Sequence, residues 1–318
     1  MTRAGQPHLV AHADWSTNAE GRWLARAILA DGRYRALCAE PVGPLESFWK
    51  RIEAEVGTAL LGFDFPIGLP RAYAKRSGID EFVALLPRLG EQGWARFYEV
   101  ARTADEIAAR QPFYPHSARR KGEVERRHLL AGLGLQETTQ LLRRCDRKTA
   151  ARNAACMLFW TIGPNQVGKA AIVGWRDLLA PALRRGTDLA IWPFHGALND
   201  LIARHRIVVA ETYPGEVYGH LGLELRSWGG KQEQSARRAN AARLLDWAAA
   251  ASIDLDASLR AEIDDGFGTT PSGDHRFDAV VGLFGMLNVV LGRRPSGEPA
   301  GDEDVRRIEG WILGQTAG

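Results

Sequence analysis

The first third of the chain alternates apolar and polar positions in short runs, which is the pattern of half-buried β-strands. Residues 8–42 contain three such runs, and Asp31 and Gly32 separate the last two. An Asp-Gly pair between strands predicts a tight hairpin, because both central residues of a type I′ turn need a positive φ. The pattern therefore predicts an antiparallel three-stranded meander over residues 8–42.

A helical spacing of apolar residues follows the meander. Phe48, Ile52 and Val56 recur at every fourth position, and Gly57 comes directly after them. This spacing predicts a helix over residues 45–56 that ends at the glycine. An apolar run comes next and predicts a fourth strand, so the chain begins as a β-β-β-α-β unit.

From residue 71 to residue 204 the pattern changes to helical runs, and this region is longer than a single connection between strands needs. The clearest predicted helices lie within residues 82–90, 93–110, 138–163 and 174–186. A strand pattern then returns near residue 207. We therefore predict an α/β core formed by residues 1–70 and 205–318, with residues 71–204 as a large helical insertion.

Acidic residues stand at the ends of three predicted strands: Asp14, Asp64 and Glu211. A turn rich in proline and glycine follows Asp64 at once, so this aspartate is either a turn residue or a functional one. Asp14 has the same alternative reading as a turn former. Since ligand sites in α/β sheets form beyond the carboxyl ends of strands, the joint pattern favours a functional site.

The start of a late helix carries three further polar residues, Asp274, His275 and Asp278. Their spacing places them on one helical face, so that His275 or Asp274 can act beside Asp278. Each also has an ordinary reading, because Asp274 can serve as a helix cap and His275 can be a surface residue.

Asp14 and Asp64 would face each other if the first and fourth strands are neighbours. Adjacent carboxylates repel one another unless cations or protons lie between them. Oxygen ligands of this kind suit Mg²⁺ or Mn²⁺, and two such ions can generate hydroxide and stabilise a leaving oxygen in phosphodiester hydrolysis. The predicted metal ligands are Asp14, Asp64, Asp278 and Asp274.

The order of elements and four sequence motifs resemble known proteins. A β-β-β-α-β core with acids after its first and fourth strands is similar to the ribonuclease H-like fold, above all to its Holliday-junction-resolvase branch. The motifs GFDFPIGLP, ETYPGEVY, DHRFDAVVG and EGWILG resemble the bacterial domain-of-unknown-function family numbered 429, which is regarded as a family of predicted nucleases. The similarity has its anchors in residues 8–70 and 205–312.

The resemblance implies a core of three antiparallel strands plus parallel strands, with helices on both faces, and metal-dependent cleavage of nucleic acid. It carries Asp14, Asp64 and Asp278 over as the nuclease acids and places His275 at the histidine of an H-x-x-D pattern. Asp274 departs from the family spacing D-x-x-D, and Glu211 ends a strand without an essential acid in the resolvases. Resolvase-type relatives often dimerise, so a homodimer is one assembly that the resemblance suggests.

Positive charge is concentrated in residues 110–152, where eleven Lys and Arg face four Asp and Glu. A basic surface beside an acidic metal site suits a nuclease, because the phosphate backbone needs neutralising charge. A solvated arginine-rich helical face is the alternative reading. The candidate substrate-binding residues are Arg119, Arg120, Lys121, Arg143, Arg144, Lys169 and Lys231.

Composition sets wider limits. The 318 residues are 45% hydrophobic and 25% charged, as in soluble globular proteins. Three cysteines without metal-type spacing and no signal peptide predict a reducing cytoplasm. The longest apolar run, residues 279–291, contains glycines and an asparagine and is too short to cross a bilayer, so no membrane partner is expected.

Two other functions share the expected core. A non-catalytic protein could use it to bind nucleic acid or a partner. An actin-like or sugar-kinase-like phosphotransferase would need a glycine-containing phosphate loop after the first strand. Ser16 and Thr17 are present there, but no glycine follows Asp14 within the loop, and no second copy of the core is visible in the sequence.

Overall fold

The structure is a computed structural model and describes residues 5–117, 124–149, 152–163, 167–225 and 227–316. The strands found in these residues are β1 (Leu9–Asp14), β2 (Trp23–Ala30), β3 (Arg33–Ala36), β4 (Glu40–Pro41), β5 (Ala59–Phe63), β6 (Leu189–Ile191), β7 (Ile207–Glu211) and β8 (Asp254–Leu255). The α-helices are α1 (Leu45–Ala54), α2 (Arg71–Ser77), α3 (Phe82–Leu85), α4 (Arg126–Leu133), α5 (Val167–Val173), α6 (Ala180–Arg184), α7 (Leu198–Arg204), α8 (Pro214–His220), α9 (Gln234–Ala239), α10 (Ala241–Ala250), α11 (Ala257–Asp265) and α12 (Gly273–Val290).

The chain folds into two compact units. Among the described residues, the first contains residues 5–64, 197–297 and 312–316, and the second contains residues 65–196 and 298–311. Residues 65–70 and 298–311 thus belong to the second unit, although the sequence pattern placed them with the core. Over the described residues, no helix is long and apolar enough to cross a membrane.

A mixed sheet forms the centre of the first unit. Its strand order is β7-β5-β1-β2-β3-β8, and β4 pairs with β2. The predicted meander is confirmed, because β1 pairs antiparallel with β2 and β2 with β3. Asp31 and Gly32, with φ values of 51° and 78°, form the turn between β2 and β3. β1, β5 and β7 run parallel, so the carboxyl ends of these three strands meet at one edge of the sheet.

Helix α1 confirms the predicted element between the meander and β5, but it ends earlier than expected. Phe48 and Ile52 are buried, whereas Val56 is 76% exposed. The backbone is already extended at Glu55, and Gly57 has a φ of 77°. Val56 therefore leaves the helical stripe, and the prediction that it shares the buried face with Phe48 is wrong.

Helix α12 is the central helix of the first unit and packs on β1. Its residues from Phe277 to Val289 are buried, as expected of a helix that is apolar all round. His12 of β1 is fully buried, and its Nδ1 donates to the carbonyl oxygen of Ala279 at 3.0 Å. Gly282 allows this approach, because an added Cβ would lie 2.2–2.3 Å from three atoms of the His12 ring.

Burial makes His12 a source of acid sensitivity. Removal from water lowers the pKa of His12 from 6.5 to about 4, and its Nε2 has no hydrogen-bond partner among the described residues. Below pH 6.5 His12 is protonated in the unfolded chain but stays neutral in the folded chain. The free energy of unfolding therefore falls as the pH drops towards 4. Between pH 7.5 and pH 5.5 this histidine should remove about 1.4 kcal/mol from the free energy of unfolding.

Urea unfolding at the two pH values measures this loss. The His12→Gln variant keeps a side-chain donor for Ala279 but has no group that titrates in this range. The free energy of unfolding should depend less on pH in the variant than in the wild type, by the same ~1.4 kcal/mol. Identical pH dependence in both proteins would contradict a neutral, buried His12.

The second unit contains the helices α2–α6 and the strand β6, joined by long irregular segments. The helix predicted within 174–186 is confirmed, with a π-helical stretch over Gly174–Leu179. The helix predicted over 93–110 is wrong, since only short 3-10 turns occur there. Phe97 packs on Phe113 and Trp175, so aromatic contacts from the rest of the unit hold this segment irregular against its helical pattern.

Residues 138–163 also depart from their predicted helix. Their described part contains the 3-10 turns Thr138–Leu141 and Arg144–Asp146 and otherwise irregular chain. Buried charges organise this part of the unit: the Arg143 guanidinium binds both carboxylate oxygens of Asp146, at 2.8 and 2.9 Å. Arg143 also donates to the carbonyl oxygen of Glu309, at 3.3 Å. Arg143, one of the basic residues of segment 110–152, therefore makes its contacts in the interior of the second unit.

Candidate functional site

The carboxyl ends of two neighbouring strands bring the first two predicted acids together. Asp14 is the last residue of β1, and Asp64 follows the last residue of β5. Ala13 pairs with Phe63 in the parallel register, so the two aspartates are the next residues along adjacent strands. The sequence-based expectation that these residues lie side by side is confirmed.

Asp14 is joined to the late helix by a histidine. Its Oδ2 lies 2.7 Å from Nδ1 of His275, the third residue of α12. Asp14 is only 5% exposed, and burial raises its pKa, with the charge of Asp278 adding to the rise and the His275 hydrogen bond opposing it. The same hydrogen bond raises the pKa of His275. Asp14 and His275 therefore form a linked acid–base pair.

Asp64 is held by the backbone of the loop that follows β1. Its Oδ1 accepts a hydrogen bond from the backbone N–H of Trp15 at 2.6 Å. Burial and the charge of Asp14 raise the pKa of Asp64 well above its usual range, and the Trp15 hydrogen bond only partly offsets them. The pKa of a carboxyl group rises in this way when nearby negative charge exceeds nearby positive charge, because the ionised form is then disfavoured.

Asp278 supplies the third carboxylate and is 2% exposed. The Tyr218 hydroxyl of α8 donates to its Oδ1, and the Lys231 ammonium group binds its Oδ2. Burial alone would lower the pKa of Lys231, but the charges of Asp278 and Asp14 outweigh it and hold that pKa above its ordinary value. Burial and Asp278 likewise raise the pKa of Tyr218 well above its usual range. Asp278 is thus engaged at both oxygens.

Asp14, Asp64 and Asp278, with Lys231 and His275, form what we call the carboxylate cluster. The charges of Asp14 and Asp278 both raise the pKa of Asp64, and the charge of Asp278 also raises the pKa of Asp14, although the three acids come from β1, from the end of β5 and from α12. One oxygen of Asp14 (Oδ1) and one of Asp64 (Oδ2) take part in none of the hydrogen bonds that the structure gives these residues. These two oxygens are the candidate ligand atoms of the cluster.

The donor chemistry of the cluster suits a hard divalent cation, since aspartate oxygens are the ligands that Mg²⁺ and Mn²⁺ prefer. The arrangement itself is not a formed cage: over the described residues, no group of three or more His, Cys, Asp or Glu is placed to hold a metal ion. Lys231 lies on the third carboxylate instead. The cluster therefore matches a divalent cation in ligand type and charge only, and metal binding stays a prediction.

Two of the predicted site residues have positions at the margin of this cluster. Asp274 accepts the backbone N–H of His275 at 3.0 Å through its own side chain, which is a local contact in the first turn of α12. Glu211 is buried and pairs with Phe63 at the end of β7, one strand beyond Asp64. Its carbonyl oxygen accepts the N–H of Leu313, and Glu211 forms an isolated parallel bridge with Ile312.

The predicted substrate-binding residues have different positions in the structure. Arg119, Arg120 and Lys121 lie outside the described residues. Arg143 is fully buried with Asp146, so this guanidinium has a structural role and cannot contact a substrate in this conformation. Arg144 pairs with Asp302, and Lys169 lies half-buried on α5, both in the second unit. The Lys231 ammonium group binds the Asp278 carboxylate, whereas the sequence analysis named Lys231 as a substrate-binding candidate.

Tyr218, which contacts the carboxylate cluster through Asp278, was missed by the sequence analysis. It lies on α8, the helix that begins at Pro214 directly after β7. A tyrosine at that spacing is an ordinary helix residue, and no local pattern identifies its partner 60 residues later. Only the packing of α8 against α12 reveals the contact.

Comparisons with known proteins give no further identification. No family model matches the chain, no curated protein is similar to it, and no solved structure matches it. The resemblance stated from the sequence motifs therefore stays an expectation, and function has to be argued from the carboxylate cluster itself.

Proposed function

We propose that the protein is a divalent-metal-dependent nuclease with a ribonuclease H-like core, which hydrolyses phosphodiester bonds in nucleic acid. The strand order supports the fold: three antiparallel strands, β1 to β3, are followed by β5 and β7 parallel to β1. This is the arrangement that the sequence motifs led us to expect. The chain belongs to the α/β class in either case.

The observation that carries the proposal is the convergence of Asp14, Asp64 and Asp278 from three separate elements. Burying three carboxylates together costs free energy unless cations offset them. Acids with perturbed pKa values cluster at functional sites. Three such acids at the carboxyl ends of the strands therefore support a catalytic role. Asp14 and Asp64 would hold the metal through their available oxygens.

The bound ion would act as a Lewis acid on a phosphate oxygen and lower the pKa of a water molecule. His275 would serve as the general base for that water. Its Nδ1 donates to Asp14, which orients the ring and leaves Nε2 to accept a proton. The hydrogen bond to Asp14 also raises the pKa of His275, which strengthens it as a base.

Cleavage assays test the proposal directly. Single-stranded, duplex, hybrid and branched nucleic acids are incubated with the purified protein and Mg²⁺ or Mn²⁺. We expect Asp14→Asn to reduce cleavage by more than about a hundredfold, since losing a ligand should exceed the loss that outer-shell changes cause. Asp254→Asn is the matched control, because this aspartate is half exposed and forms an ion pair with Arg33 at the opposite edge of the sheet.

Three outcomes would contradict the proposal. Equal cleavage by the wild type and by Asp14→Asn would identify a contaminating nuclease. Tight binding of nucleic acid without cleavage in any metal would favour the non-catalytic alternative. Turnover of ATP without cleavage would favour the phosphotransferase.

A further inference from the structure

We propose that a cavity at the carboxyl end of α12 binds a phosphate group, either as free phosphate or as part of a small organic molecule. The cavity lies in the first unit and has a volume of about 370 Å³. Its lining residues are His220, Trp247, Asn288, Arg293 and Arg294. These residues are separate from the carboxylate cluster, which lies at the start of α12, so the proposal does not depend on the nuclease function.

The turn that ends α12 holds the two arginines beside Asn288. Gly292 has a φ of 70°, which glycine adopts without strain, and its N–H donates to the carbonyl oxygen of Val289 at 2.9 Å. The backbone N–H groups of Arg293 and Arg294 both donate to the carbonyl oxygen of Asn288, at 2.9 and 3.0 Å. Because backbone groups satisfy these carbonyl oxygens, the two guanidinium groups are not needed to cap α12.

Each guanidinium group is anchored by one contact and keeps further donors. Nη1 of Arg293 donates to the carbonyl oxygen of Ala250 at 2.9 Å, and Nε of Arg294 donates to that of Gly314. Within the described residues, neither arginine forms an ion pair with a carboxylate. The remaining N–H groups form planar forks that match the oxygens of a phosphate. An anionic ligand would therefore supply a counter-charge that these arginines lack.

Two further side chains add donors to the cavity. Asn288 is 6% exposed, and its Oδ1 accepts the indole N–H of Trp247 at 2.9 Å. This hydrogen bond orients the amide, so that the Nδ2 amino group is left to donate to a ligand. In the part of the chain that the structure describes, Nε2 of His220 has no hydrogen-bond partner, since Oε1 of Glu216 lies 3.6 Å away. The lining side chains thus offer N–H donors and positive charge, which favours an anion.

Charge and size favour a phosphate among the possible anions. A phosphate monoester carries a charge of about −1.5 to −2 at neutral pH, which balances the two arginines. The carboxyl end of α12 opposes an anion with only about half a negative charge. A volume of about 370 Å³ lies within the range of roughly 300–1,000 Å³ that small-molecule sites have, so an organic group fits beside the phosphate. Trp247, which stacks on Phe284 with ring centroids 4.5 Å apart, would give that group an aromatic contact.

Isothermal titration calorimetry tests the proposal with three probes: inorganic phosphate, adenosine 5′-monophosphate and adenosine. EDTA is present throughout, so that phosphate bound through a metal ion at the carboxylate cluster does not contribute. We expect both phosphate-bearing probes to bind, and adenosine to bind at least about tenfold more weakly than its monophosphate, because it lacks the charge-assisted hydrogen bonds. Tighter binding of the monophosphate than of inorganic phosphate would identify an organic ligand, and the opposite order would identify free phosphate.

Substitutions in the cavity locate the binding. Arg293→Gln and Arg294→Gln should each weaken phosphate binding by about tenfold or more, since each removes charge-assisted hydrogen bonds. Asn288→Asp should abolish it, because this change keeps an acceptor for Trp247 but replaces the amide donor with a negative charge. Arg260→Gln is the matched control and should bind as the wild type does, because Arg260 is exposed on α11 and is not among the lining residues.

Three results would overturn the proposal. The first is that neither phosphate-bearing probe binds, and the second is that adenosine binds as tightly as its monophosphate. The third is unchanged affinity in both arginine variants, which would place the bound phosphate elsewhere on the protein. If Arg294→Gln or Asn288→Asp does not fold by circular dichroism, Arg293→Gln decides, because the Arg293 side chain is exposed.

Discussion

Replacing Arg143 with methionine is expected to destabilise the protein by about 3–5 kcal/mol. The Arg143 side chain has no exposed surface, and Asp146, which it binds through two parallel hydrogen bonds, is only 3% exposed. Methionine fills a similar volume but leaves the Asp146 carboxylate buried without a cation. The cost is therefore the desolvation of an unpaired charge, which is far larger than the net value of the ion pair.

Urea unfolding followed by tryptophan fluorescence measures this effect. Arg176→Met is the matched control, because Arg176 forms an ion pair with Asp177 at the surface and should change stability by no more than about 1 kcal/mol. The double variant Arg143→Met with Asp146→Leu should recover most of the loss, since it removes both charges together. A loss below 1 kcal/mol in Arg143→Met would mean that water reaches Asp146.

Replacing Gly282 with alanine should cost about 2–3 kcal/mol. The new methyl group would meet the His12 ring at 2.2–2.3 Å, and that ring is held in place by its hydrogen bond to Ala279. Either β1 or α12 must then move, and both carry members of the carboxylate cluster. We therefore expect weaker Mn²⁺ binding in the same variant.

Gly219→Ala provides the comparison for this substitution. Gly219 also lies in a helix, but an added Cβ would meet nothing within 4 Å. Alanine should leave stability unchanged or raise it by up to about 1 kcal/mol, because it favours the helix. Thermal unfolding of the two variants distinguishes a steric clash from a general effect of glycine replacement, and equal melting temperatures would rule the clash out.

The first unit was largely predictable from the sequence, because local signals there agree with the final packing. The Asp31-Gly32 turn, the strand-end position of Asp64 and the apolar length of α12 all follow from short stretches of sequence. The pairing of β1 with β5 then places Asp14 beside Asp64. Val56 is an exception, since the helix stops before the periodic pattern does.

The second unit and the partners of Asp278 could not be predicted in the same way. Residues 93–110 have a helical pattern, yet the aromatic contacts of Phe97 outweigh that weak preference. Lys231 precedes Asp278 by 47 residues, and Tyr218 precedes it by 60. Contacts over such separations cannot be predicted from local sequence spacing. The high density of basic residues in segment 110–152 likewise gave no indication that Arg143 is buried.

The distance along the chain between Asp14 and His275 has a consequence for biosynthesis. They are 261 residues apart, and ribosomes add roughly 5–20 residues per second, so α12 is made about 15–50 s after β1. A nascent chain therefore carries Asp14 and Asp64 long before Asp278, Lys231 and His275 have been made. The carboxylate cluster cannot form before α12 has been synthesised.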